Sequence, residues 1–187
     1  LRRGRVGVVA HFYMDVELQS VLSSCSWEHI HVADSLMMAD RAVKMAEAGV
    51  EAVVVLGVDF MSENVRAVLD AAGYRDLPVY RVAQREIGCS LAESAEARSY
   101  GAWLGQAAST PGSLHVIYIN TSLEVKARSH DLVPTITCTS SNVLQTILQA
   151  ASQIPGLNIW YGPDTYMGAN LEDMLLRFSE LSDEEIA

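Results

Sequence analysis

Short apolar runs, each followed by a helix-like stretch, restrict the fold of this chain more than any other feature. The runs are Arg5–Ala10, Ala52–Leu56, Val79–Val82, Leu114–Ile119, Thr135–Thr139 and Asn158–Tyr161. They are β-branched and nearly all apolar, which suits parallel strands buried on both faces. Helical patterns fill the intervals at Ser35–Ala48, Phe60–Ala72, Ser90–Gln106 and Asn142–Gln153. The first two stop at Gly49 and Gly73, and glycine just past a helix is the usual stop signal. Alternation of this kind predicts an α/β fold built on short parallel sheets. Turn and polar residues at Ala83–Gly88 suggest a boundary. Residues 1–84 and 85–170 then form two α/β domains of similar size. Residues 171–187 read as an acidic helix leading into something further.

The strands share a second property. Each main run ends in small or polar residues, and a helix follows at once. These ends are His11-Phe12-Tyr13, Gly57-Val58-Asp59-Phe60-Met61, Asn120-Thr121-Ser122, Thr139-Ser140-Ser141-Asn142 and Gly162-Pro163-Asp164. Ligands of open α/β sheets bind outside the carboxyl ends of the strands. Helix N-termini there offer unpaired N–H groups to anions. Helix capping explains many of the same residues without any ligand. Ser90-Leu91-Ala92-Glu93 and Thr121-Ser122-Leu123-Glu124 both fit the capping box. Capping does not explain His11, Tyr13 or Tyr118.

Composition narrows the function. Half of the residues are hydrophobic and 19% are charged, so the chain has material for a core. The formal charge is −10, and the only basic cluster is Leu1-Arg2-Arg3-Gly4-Arg5. That argues against nucleic-acid binding, which needs clustered Lys and Arg. No apolar run reaches the ~18 residues of a membrane span, and no secretory h-region opens the chain. The opening residue is Leu rather than Met, which suggests a fragment or a processed chain. No dinucleotide, Walker or nucleophile-elbow motif is present.

The cysteines are Cys25, Cys89 and Cys138, too few and too far apart for a disulfide framework. Cys25 and Cys138 read as small buried hydrophobes. Cys89 stands at an expected helix start, a location that favours the thiolate, the form that binds iron or attacks carbon, while a lone cysteine taken by itself reads first as a small buried hydrophobe. His29 and His31 alternate on a short extended segment and read as a half-buried edge rather than a zinc pair. Met37, Met38 and Met45 read as core filling.

The strand-end groups resemble the motifs of the quinolinate synthase family. Ala10-His11-Phe12-Tyr13-Met14-Asp15-Val16-Glu17-Leu18-Gln19 is similar to its opening motif, with Val16 where the family usually has proline. Ala33-Asp34-Ser35-Leu36, Gly57-Val58-Asp59-Phe60-Met61-Ser62-Glu63 and Gly88-Cys89-Ser90-Leu91-Ala92 follow in family order. Tyr118-Ile119-Asn120-Thr121-Ser122 with Lys126-Ala127, then Thr139-Ser140-Ser141-Asn142 and Gly162-Pro163-Asp164, complete the set. The resemblance covers nearly the whole chain and is nearest to plastid forms from plants and algae.

The resemblance implies condensation of iminoaspartate with dihydroxyacetone phosphate to quinolinate, in NAD biosynthesis. It implies repeated three-layer α/β/α domains, two of the family's three, around a [4Fe–4S] cluster held by one cysteine per domain. Cys89 would be the first ligand. His11, Ser35, Tyr118, Asn120 and Ser140 would bind substrate, with Ser140 at a helix start holding phosphate. Tyr13 and Tyr118 would be catalytic, Tyr13 by carrying protons. The family's other two cluster cysteines, a Cys-x-x-His segment and a catalytic Glu have no counterpart before residue 187. The chain alone is therefore expected to bind no stable cluster and to be inactive. Candidate partners are an L-aspartate oxidase, a sulfur-transfer protein and a second copy of the chain. The plastid stroma is the expected location, or the cytoplasm for a bacterial protein. Two other readings use the same residues: a non-catalytic sugar-phosphate or dicarboxylate binding module, and a transferase with Cys89 as nucleophile beside His11.

Overall fold

A computed structural model describes residues 5–180. The basic run at residues 1–4 and the end of the acidic tail, residues 181–187, lie outside the described residues. The chain divides into two compact units, Leu1–Cys89 and Ser90–Ala187. The sequence signal at Ala83–Gly88 thus falls just before the division.

The first unit runs β1 (Val6–His11), α1 (Val16–Ser24), β2 (Ile30–Ala33), α2 (Ser35–Glu47), β3 (Ala52–Leu56), α3 (Asp59–Ala71) and β4 (Val79–Arg81). Its four strands are parallel and ordered β2-β1-β3-β4. The expectation of burial on both faces fails for β3. Val53 and Val55 are buried while Ala52, Val54 and Leu56 are only partly covered. The core lies on the closed face, with Val9, Val53 and Val55 buried along with Met38 and Met45 of α2 and Val65 and Leu69 of α3. Each such side chain contributes about 1.5–3 kcal/mol when fully buried. Gly7 lets β1 approach α2 closely, since a Cβ there would stand 2.5 Å from the Met45 sulfur. Met37 departs from the core reading and is 42% exposed, because α2 turns it one helical step away from Met38.

Local chemistry sets the helix bounds. Asp15 caps α1 by accepting the Glu17 and Leu18 N–H groups. Asp34 caps α2 by accepting those of Leu36 and Met37. Gly49 and Gly73 follow the last turns of α2 and α3 with φ of 87° and 90°, conformations that cost other residues energy. β2 carries His29 and His31 at or beside it, both half-buried, along one edge of the sheet.

The second unit runs α4 (Ser90–Glu96), α5 (Arg98–Ser109), β5 (Ser113–Tyr118), α6 (Leu123–Leu132), β6 (Thr135–Cys138), α7 (Val143–Gln153), β7 (Asn158–Gly162) and α8 (Thr165–Glu180). Its parallel sheet has the order β6-β5-β7. Central β5 is buried from His115 to Tyr118, as expected of a strand covered on both faces. The stretch Ser90–Gln106 is not one helix. It breaks at Ala97, whose backbone is extended. Ala95 of α4 packs with Ile117 and Val125, while Leu104 and Ala107 of α5 pack with Val133. Two separate anchors replace one straight rod. Helix α8 starts at Thr165, earlier than Leu171, because Asp164 accepts the Met167 N–H at 2.9 Å.

Candidate functional site

In each unit the first strand of the sheet is flanked by one later strand on either side. In open α/β sheets ligands bind at such a switch point, outside the carboxyl end of the strands. β1 and β5 are the central strands, and they end in His11 and Tyr118.

His11 is buried, and parallel pairing sets it beside Ala33, next to Asp34 and Ser35. The Tyr13 N–H donates to His11 Nδ1 at 3.2 Å. In the neutral ring this leaves the proton on Nε2, as a donor. Burial lowers the pKa of His11, and the Asp34 carboxylate partly offsets the shift. Ser35, the first residue of α2, is 2% exposed. Tyr13 packs edge-on against the His11 ring at a centroid distance of 4.9 Å but is 73% exposed. The first unit therefore gathers an imidazole donor, a hydroxyl and an exposed phenol near the carboxyl end of β1.

Cys89 closes the same unit, half-buried and directly before α4. Ile87, two residues earlier, is bonded to Asp59 at the start of α3. The approach to Cys89 is thereby brought to the end of the sheet that carries His11 and Ser35. The other two thiols differ. Cys138 is fully buried at the end of β6, and burial pushes its thiol up to about 12. Cys25 is exposed, contrary to the reading of a buried hydrophobe. It caps α1, a helix with no buried residue of its own to draw it inward.

In the second unit Tyr118 is buried and Asn120 half-buried, with Tyr118 paired to Cys138 across the sheet. The Lys126 ammonium holds the turn after β5 by donating to the carbonyls of Ile119, at 3.0 Å, and Thr121. The capping box expected from Thr121 is shifted by one. Ser122 is the cap of α6 and accepts the Val125 N–H, while the Thr121 hydroxyl donates back to the Tyr118 carbonyl. Ser140 is exposed and stands before α7 rather than in its first turn. Asn142 takes the cap position, but its side chain turns back to accept the Thr139 N–H at 2.7 Å.

A cavity of the second unit, about 590 Å³, is lined by Trp103, Ile159, Trp160 and Leu171 and includes none of the candidate site residues. Sequence reasoning also missed His115, which is fully buried on β5 and bonded through Nε2 to the Tyr100 hydroxyl at 2.8 Å. Asp34, Asp59 and Lys126 stand in the motifs quoted above but were not among the candidate site residues.

Two parallel sheets whose central strands end in polar residues define the class: an α/β protein. The family is specific, for the model of the quinolinate synthetase A proteins matches residues 1–180 and the chain belongs to that family. It is 64% identical over its full length to the chloroplastic quinolinate synthase of Oryza sativa subsp. japonica, and 58% to that of Arabidopsis thaliana. Against the quinolinate synthase of Mycolicibacterium paratuberculosis identity is 34% over 89% of the chain and 40% of the relative. The chain spans only 27% and 26% of the two plant relatives.

Proposed function

We propose that this chain is part of a quinolinate synthase, a plastid enzyme that condenses iminoaspartate with dihydroxyacetone phosphate in NAD biosynthesis. Family membership over residues 1–180 carries the reading. The site residues fit its chemistry. His11 Nε2–H and the Ser35 hydroxyl suit a carboxylate or hydroxyl of the substrate. Tyr13, exposed and beside His11, suits proton transfer. Tyr118 and Asn120 stand at the carboxyl end of β5, where Tyr118 would be a further proton carrier, and the exposed Ser140 hydroxyl suits phosphate. An L-aspartate oxidase, a sulfur-transfer protein and a second copy of the chain are the proposed partners.

The family's [4Fe–4S] cluster would add an electrophilic iron. The donor set here does not fit it alone. Among the described residues no three His, Cys, Asp or Glu side chains come together. Cys138 is buried with its thiol held protonated, and Cys25 sits at the far end of α1. Cys89 is the one thiol suited to ligation, and a cubane needs more than one protein sulfur. The remaining ligands would come from residues outside these 187.

Anaerobic reconstitution of this chain with iron and sulfide tests the reading. The expected result is no broad visible absorbance from a cluster and no quinolinate. A whole enzyme that includes this region should form both, and Cys89→Ala should abolish both. Quinolinate formation that survives Cys89→Ala would refute the role of Cys89. Ligand binding without turnover in the whole protein would favour a binding module instead.

A further inference from the structure

We infer that Asp59 is a positioning residue for Cys89, a clamp that fixes the loop on which this thiol is carried. The inference rests on the proposed role of Cys89 as an iron ligand.

Asp59 is the first residue of α3, where a carboxylate normally caps its own helix. Here the cap position is Val58 and no side chain caps the helix. The Asp59 carboxylate is directed elsewhere. One oxygen accepts from the Arg81 guanidinium, and the other accepts the Ile87 N–H at 3.1 Å. The Asp59 N–H in turn donates to the Ile87 carbonyl at 3.1 Å. Arg81 is the last residue of β4, and residues 82–89 form no helix or strand. Both ends of the loop 82–86 are therefore tied to one carboxylate, and Cys89 follows two residues beyond the second tie. The side chain of Asp59 is 25% exposed, so water competes only in part for these bonds. A ligand must be held to a fraction of an ångström to serve a metal site.

The test uses this chain with Asp59→Ala and Asp59→Asn. Hydrogen exchange reads the Ile87 amide. Alkylation by iodoacetamide reads Cys89 against exposed Cys25 and buried Cys138 in the same molecule. In Asp59→Ala, exchange at Ile87 should accelerate about tenfold, the factor that fits loss of one hydrogen bond to a charged group. Alkylation of Cys89 should rise about as much, with the Cys25 rate unchanged and Cys138 still protected. Asp59→Asn keeps an acceptor oxygen for the Ile87 N–H and should restore most of the protection. Unchanged Ile87 and Cys89 in Asp59→Ala would overturn the clamp. So would equal effects of both variants with Cys138 newly labelled, because that pattern is general loosening. Neither readout needs iron. A whole enzyme that keeps its cluster without Cys89 would refute the ligand role and leave these results untouched.

Discussion

His115 should make the second unit acid-sensitive, and the expected size follows from its surroundings. The Thr135 hydroxyl donates to the Val133 carbonyl and so offers an acceptor to Nδ1 at 3.4 Å, which assigns the ring proton to Nδ1 and leaves Nε2 to accept from the Tyr100 hydroxyl at 2.8 Å. A second ring proton would place a positive charge inside a fully buried site. Burial lowers the pKa of His115 from 6.5 to about 4. The folded value is depressed, so the stability it contributes is complete above pH 6.5 and is lost as the pH falls towards 4. At 1.36 kcal/mol per pKa unit the full loss is about 3 kcal/mol, of which about 2 kcal/mol falls between pH 7 and pH 5. Urea unfolding followed by tryptophan fluorescence measures it. Trp103 and Trp160 flank His115 in the second unit, so a Trp27→Phe background isolates their signal. His115→Gln keeps an acceptor for Tyr100 but does not titrate. The original chain should lose about 2 kcal/mol more than His115→Gln over this pH range. Parallel slopes for the two would refute the reasoning.

Two further outcomes test the first unit. Val16 is the first residue of α1, 78% exposed, and Asp15 before it has φ −50° and ψ 138°, a conformation that a following proline permits. Val16→Pro should therefore raise stability by about 0.5 kcal/mol, read as a higher urea midpoint. Asp34→Asn keeps a capping oxygen for α2 but removes the charge that holds up the pKa of His11. NMR titration should find the His11 pKa lower still, with the helix intact.

Much of this architecture was readable because it depends on neighbours in sequence. The apolar runs became strands, and Gly49 and Gly73 ended helices where only glycine is at ease. The acidic residues after β2 and β7 cap the next helix through N–H groups two or three residues away. What was hidden depends on distant partners. Nothing near Ala97 favours a break, and only the separate anchoring of Ala95 and Leu104 produces one. The cap of α6 moved from Thr121 to Ser122 because the Thr121 hydroxyl found the Tyr118 carbonyl. Asp59 meets Arg81 and Ile87 across more than twenty residues, and His115 meets Tyr100 across fifteen. Of the site, the strand-end positions were legible from motif and pattern. The inward turn of Ser35, the exposure of Cys25 and the turn that carries Ser140 were not.

The strand order has a consequence during synthesis. In both units the central strand is made before either neighbour. A ribosome delivers β1, an apolar ribbon with two open edges, long before β3 is complete at Leu56. Through that interval the nascent chain offers a template for pairing with any other strand nearby. The same order that later sets a switch point at the end of the central strand makes the newborn chain vulnerable to aggregation, and it is the arrival of β3 that closes the second edge of β1.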